Sequence, residues 1–200
     1  MARVRCLSVS EPPQLTRSRG AGQSTGPADD VVAEIEAMGG EAMSNYGDVS
    51  SWSDCEAMIK ATLDRFGDLH ALVCNAGVLR DRSLINMSED DWDTVFNVHA
   101  KGTFCPVRHA AAYWRDKSKE TGGPIEARVV VTSSVAGMYG NRGQANYGPA
   151  KASIAMFGIS AAEELERYGV QVNVICPVAL CESPTNAATS CLRLLQQRSV

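Results

Sequence analysis

Three short apolar runs constrain this chain more than anything else in it: His70 to Cys74, Arg128 to Ser133 and Gln171 to Cys176. A strand with one face in water alternates apolar and polar residues, whereas a continuous run signals a strand covered on both faces, as in a parallel sheet between helices. Helical periodicity fills the intervals. Pro27 suits a first helical turn, Val31, Val32, Ile35 and Met38 form a stripe, and Gly39-Gly40 ends it. Ala42 to Tyr46 reads as a short strand closed by Gly47-Asp48, and a helix from about Ser53 carries Cys55, Met58, Ile59, Leu63 and Phe66 on one face before Gly67 stops it. Ser88 and Asp91 have capping-box spacing, and Trp92, Val95, Phe96 and His99 continue that helix, which is expected to run with an irregularity to about Trp114 and to kink at Pro106. Asn146 to Tyr168 is the next helix, with Pro149 in its first turn and Gly169 at its end. The pattern is α/β, a doubly wound parallel sheet.

Two hundred residues suffice for one such domain and not for two of typical size. The regular pattern spans 27–180. Residues 1–26 carry four arginines, one acid and Pro12-Pro13, and read as a divergent, poorly ordered start; an acid-poor, Arg- and Ser-bearing start also fits a transit peptide, but the prolines interrupt its helix. Residues 181–200 read as a divergent tail with a short helical stretch around Leu192 to Gln197. A net charge of −4 gives no basic excess to attract a phosphate backbone, so nucleic acid is not expected as a partner. No apolar run approaches the ~18 residues of a membrane span. Seven cysteines without a C-x-x-C pair point to a reducing compartment, and neither they nor His70, His99 and His109 have metal-ligand spacing. No metal is expected; the thiols read as core and the imidazoles as surface.

The chemistry gathers at the strand ends. Tyr147 and Lys151, at i and i+4, project from one helix face, and an ammonium beside a phenol favours the phenolate. Alone, the pair describes a solvated face as well as it describes a site. Ser134, however, falls just past the Arg128 to Ser133 strand and is joined to Tyr147 by the Gly-bearing loop Val135 to Gln144, while Asn75-Ala76-Gly77 ends the His70 to Cys74 strand. Ligands of open α/β sheets bind at the carboxyl ends of strands, where both segments lie.

With Asp48-Val49, Asn75-Ala76-Gly77, Asn97, Ser134 and Tyr147-x-x-x-Lys151 in this order and spacing, the chain resembles the short-chain dehydrogenase/reductase family over roughly residues 27 to 178. The segments 78–83 and 140–147 are most similar to the 3-hydroxyacyl-CoA dehydrogenase domain of multifunctional β-oxidation enzymes and their actinobacterial relatives, and also to 3-oxoacyl-[acyl-carrier-protein] reductases. The resemblance implies a Rossmann-like fold and an NAD(P)-dependent oxidoreductase acting on a secondary alcohol or ketone, a 3-hydroxyacyl or 3-oxoacyl thioester. It implies Tyr147 as general acid/base, Ser134 as hydrogen-bond donor to the substrate oxygen, and Lys151 as the group that lowers the tyrosine pKa and holds the nicotinamide ribose. Asn97 would interrupt its helix and place a water in the proton relay; a helix-face amide in solvent is the plainer reading. Asp48 would meet the adenine amino group, or act as a simple cap. Val49, the backbone of Asn75, Ala76 and Gly77, and Pro177 would line the cofactor, NAD or NADP. The partner is a small molecule, with a homo-oligomer implied through the helices at about 88–114 and 146–168. The compartment implied is cytoplasmic, or peroxisomal or mitochondrial in a eukaryote.

The pattern departs from the family at both ends. The strand and T-G-x-x-x-G-x-G turn that would receive the pyrophosphate have no counterpart, and Gly20-Ala21-Gly22 is not followed by a helix of the right length. The first strand, the glycine-rich loop and the second strand are therefore expected to be missing or replaced, leaving an incomplete sheet. Val4 to Val9 has the β-propensity to substitute, but Arg3 and Arg5 suit a central strand poorly. Pro177-Val178 stands where the family usually has Pro-Gly. The alternative function is accordingly a truncated, catalytically inactive homologue that retains only the fold and the oligomerisation surface.

Overall fold

The computed structural model describes residues 26–178; the Val4 to Val9 segment and the tail beyond 178 lie outside them. Three strands, β1 (Ala71–Cys74), β2 (Ala127–Thr132) and β3 (Val170–Ile175), form a parallel sheet in the order β1-β2-β3. Leu72 lies opposite Val129, and Val129 opposite Val172, so the inward positions of all three strands share one face.

That face is covered by α4 (Gly102–Thr121) and α6 (Tyr147–Leu165), each joining two of the strands. Leu72, Val129, Val131 and Val170 pack with Val107, Ala110, Trp114, Ile154 and Leu165 into one core. Trp114, fully buried, also donates its indole N–H to the Leu69 carbonyl at 2.7 Å, tying α4 to the entrance of β1. Burying such a side chain stabilises by roughly 3 kcal/mol from apolar area alone. Gly169 turns the chain from α6 into β3 at φ 82°; a Cβ there would lie 1.9 Å from the Ile125 carbonyl oxygen, so no other residue fits.

The helix expectations hold for α2 (Trp52–Phe66), capped by Ser51 and ended by left-handed Gly67, and for α3 (Glu89–Phe96), whose Ser88–Asp91 capping box is complete. The predicted irregularity is a π-helical turn at Asn97–Lys101, after which α4 continues through Pro106 to Thr121, beyond the predicted end at Trp114.

Four expectations are corrected. Ala42 to Tyr46 is not a strand: Glu41 carries a single bridge and no ladder forms among the described residues, because β-propensity creates a strand only against a partner edge. The loop after Ser134 contains the short helix α5 (Val135–Tyr139). The apolar runs predicted cover on both faces; α4 and α6 cover the face of Leu72 and Val129, while on the opposite face Val73 is 48% exposed. The stripe of α1 (Pro27–Ala37) is similarly open, with Val31 and Met38 exposed. Among the described residues no helix is long and apolar enough to cross a membrane.

Candidate active site

A cavity of about 730 Å³ opens at the carboxyl ends of the strands. Its wall includes Asp48, Asn75, Gly77, Asn97, Ser134, Tyr147, Lys151 and Pro177, so eight of the ten positions singled out above come together. Ala76 and Val49 do not line it; Val49 packs instead against Cys55, Met58 and Cys105.

The positions follow from local structure. Ser134 is the N-cap of α5, and its Oγ accepts from the Ala136 N–H at 3.2 Å, which leaves the hydroxyl hydrogen to donate elsewhere. Tyr147 is the first residue of α6 and Lys151 follows one turn on, with the Lys151 Nζ 5.6 Å from the Tyr147 ring centroid. Lys151 is 4% exposed and donates to the Thr132 carbonyl at 2.7 Å. Burial pulls its ammonium down to about 8. The backbone beneath is held close: Ser133 Oγ donates to the Lys151 carbonyl at 2.7 Å, and a Cβ on Gly137 would lie 2.8 Å from the Lys151 carbonyl carbon.

Asn97 opens the π turn, and its carbonyl accepts from the Gly102 N–H, the i+5 bond that defines such a turn. Single π turns within α-helices occur frequently at functional sites, because the inserted residue re-aims the side chains beyond it. Asp48 spends one carboxylate oxygen locally, accepting from the N–H and hydroxyl of Ser50, both at 2.8 Å. That is the capping geometry weighed against the adenine contact, and the second oxygen is not engaged by it.

Two buried residues of the site were not singled out from sequence. Asn146, fully buried, donates to the Arg80 and Asp91 carbonyls at 3.0 and 2.9 Å and accepts from the Tyr147 N–H at 2.7 Å. It joins the loop after β1, α3 and α6 directly beside Tyr147; its place immediately before the helix start was the available signal. His99 corrects the surface reading of the histidines, being 2% exposed in the cavity wall. His109 is half-buried and stands against Trp52, with ring centroids 4.4 Å apart. Of the thiols, Cys55 and Cys105 are buried while Cys176 is exposed, so the core reading holds only in part.

The short chain dehydrogenase family model matches residues 19–190. The chain belongs to this family. It is 48% identical over 157 residues to the hydroxyacyl-CoA dehydrogenase ChsB1 of Mycobacterium tuberculosis, covering 76% of this chain and 49% of that protein. It is 42% identical over 161 residues to the peroxisomal hydratase-dehydrogenase-epimerase of Neurospora crassa, covering 80% of this chain and 17% of that one. The crystal structure of a short chain dehydrogenase from Mycobacterium avium superposes with a TM-score of 0.74 at 40% identity, covering 99% of this chain and 69% of the other. The chain thus spans about half the length of the hydroxyacyl-CoA dehydrogenase it matches and a smaller share of the multifunctional one.

Proposed function

We propose that the chain is an NAD(P)-dependent oxidoreductase of a secondary alcohol or ketone, with a 3-hydroxyacyl or 3-oxoacyl thioester as its substrate. The observation that carries this is the convergence of Ser134, Tyr147, Lys151 and Asn97 on one cavity wall. The names of two relatives, a hydroxyacyl-CoA dehydrogenase and a hydratase-dehydrogenase-epimerase, support the substrate class.

The donor set fits a nicotinamide nucleoside. Lys151 keeps two N–H donors after its bond to Thr132, and the Thr132 hydroxyl is buried on the same wall with no partner among the described residues. Asn75, Gly77, Pro177 and Asp48 also line the cavity. When bound, the nicotinamide supplies hydride chemistry. The protein's own residues manage the proton. Tyr147 gives it to, or takes it from, the substrate oxygen; Ser134 donates a hydrogen bond to the same oxygen. The Lys151 ammonium stabilises the charge left on the phenol and orients the ribose, and Asn97 positions the water that returns the proton.

The test is reduction of acetoacetyl-CoA by the full chain with NADH and with NADPH. Turnover is expected with one of them and loss of at least a hundredfold in Tyr147→Phe, in keeping with removal of a general acid. Turnover by the folded parent no greater than that of Tyr147→Phe overturns the proposal and leaves the non-catalytic homologue.

A further inference from the structure

His99 is a buried polar side chain of the cavity wall to which the proposed chemistry gives no task. It sits in the middle of the π turn, 2% exposed. Its Nε2 lies 2.8 Å from the Val78 carbonyl oxygen and 3.1 Å from the Val78 nitrogen. Nε2 thus meets both polar groups of the Val78 peptide, the N–H that donates to it and the carbonyl beside it, with the place of the ring proton set by the tautomer; Nδ1 is buried and has no partner among the described residues. On its other side the ring meets the Tyr147 ring edge-on, with centroids 5.2 Å apart and planes at 85°. The loop after β1 is shaped around it: a Cβ on Gly77 would lie 2.7 Å from His99 Cε1.

The imidazole therefore touches both halves of the site, the Gly77–Val78 backbone at the end of β1 and the phenol ring at the start of α6. We propose that His99 is a positioning residue: a neutral imidazole that grips the Val78 peptide and buttresses the Tyr147 ring, setting the distance between the cofactor-facing loop and the proton-transferring hydroxyl. The proposal rests on the oxidoreductase reading above and adds to it a residue that touches neither hydride nor substrate oxygen. A neutral ring is required, because a cation there would face Lys151 across a dry wall; burial, only partly offset by the bond to Val78 and reinforced by Lys151, holds the imidazole down to about 4. The other titratable group in contact with it is Tyr147, also on α6.

Two variants separate the contacts. H99F keeps an aromatic edge against Tyr147 and deletes the grip on Val78, whereas H99Q keeps an amide that reaches the Val78 peptide and deletes the ring. Misplacement of a reacting group by about 1 Å costs up to about a hundredfold, so H99F is expected to lower kcat for acetoacetyl-CoA by roughly ten- to a hundredfold with KM for the thioester unchanged within about twofold. H99Q is expected to recover kcat to within about fivefold of the parent. A readout independent of turnover is the 15N spectrum of histidine-labelled protein, expected to give one imidazole that is neutral, in a single tautomer and unchanged between pH 8 and pH 5. An H99F kcat within about twofold of the parent, a kcat that H99Q fails to recover, or an imidazole that titrates near its ordinary value overturns the role of His99 alone. A parent no faster than Tyr147→Phe overturns the oxidoreductase reading and the positioning role with it.

Discussion

Replacing Asn146 with Asp changes one side-chain nitrogen to oxygen, yet the surroundings make it a severe substitution. Asn146 has no exposed surface, and its Nδ2 faces the carbonyls of Arg80 and Asp91 at 3.0 and 2.9 Å while Oδ1 accepts from Tyr147 N–H. An ionised carboxylate would set a negative oxygen against two carbonyl oxygens in a dry pocket. The variant therefore folds only as the neutral acid, whose hydroxyl can satisfy one carbonyl. A carboxyl that must stay protonated when folded loses stability as pH rises above its unfolded value, by about 1.4 kcal/mol per pH unit. Between pH 6 and pH 7.5 Asn146→Asp should lose about 2 kcal/mol relative to the parent, or about 4–8 °C in Tm for a domain of this size. Asn146→Ala, which deletes three hydrogen bonds but introduces no charge, should cost about 3 kcal/mol at both pH values. Urea unfolding of the parent and both variants at the two pH values measures this. An Asp variant whose deficit is constant, or shrinks, as pH rises would refute the reasoning.

The remaining expectations concern stability. Gly158→Ala places a methyl 2.4 Å from Val174 Cγ2 and 3.0 Å from Val131 Cγ2. The overpacking should outweigh a helix-propensity gain of about 1 kcal/mol and leave a net loss of about 1–2 kcal/mol; a variant as stable as the parent would show that α6 does not seat so closely on β2 and β3. His99, ordinarily near 6.5 but held at about 4 in the fold, contributes stability that is fully present above 6.5 and is lost as pH falls toward 4. About 2 kcal/mol should vanish between pH 7 and pH 5 in the parent and not in H99F, read from urea midpoints. At Asp68, burial acts upward, but Lys117, the Tyr113 hydroxyl and the Leu69 N–H outweigh it and hold the carboxyl at about 2. That contribution is present above the ordinary carboxylate range and lost as pH falls toward 2, so Lys117→Met should destabilise by about 1 kcal/mol at pH 7 and move acid unfolding to higher pH; an unmoved acid transition would argue against the pair.

Much of this was legible because the signals are local. Ser88 with Asp91, Gly67 and Gly169 mark boundaries through backbone chemistry that acts within a few residues. Tyr147 and Lys151 were legible through their one-turn spacing, and Ser134 through its place after a strand. What was not legible depends on distant partners. Ala42 to Tyr46 has strand composition, but a ladder is a property of two segments. Val135–Tyr139 is too short to show a helical period. His99 carries no mark in sequence that distinguishes a buried imidazole from a surface one, because its burial comes from Val78 and Tyr147, 21 and 48 positions away. Asn146 was overlooked for the same reason: two of its partners belong to other elements.

The π turn has a consequence for the length of this chain. In an uninterrupted α-helix the core-facing positions that follow Val95 would fall near residues 102, 106, 109 and 113; the first turns of α4 are buried broadly, Gly102, Cys105 and Pro106 included, but farther along the buried positions are Ala110 and Trp114, one residue later. The inserted residue is thus a phase correction that lets α3 serve the cavity and α4 serve the sheet along one continuous rod. Removing a single residue between 97 and 101 would mend the α-helical hydrogen bonds and turn Trp114 about 100° away from Leu69. Segment length there is therefore constrained separately from the identities of Asn97 and His99, since a one-residue deletion would force the core and the site out of step even with both side chains kept.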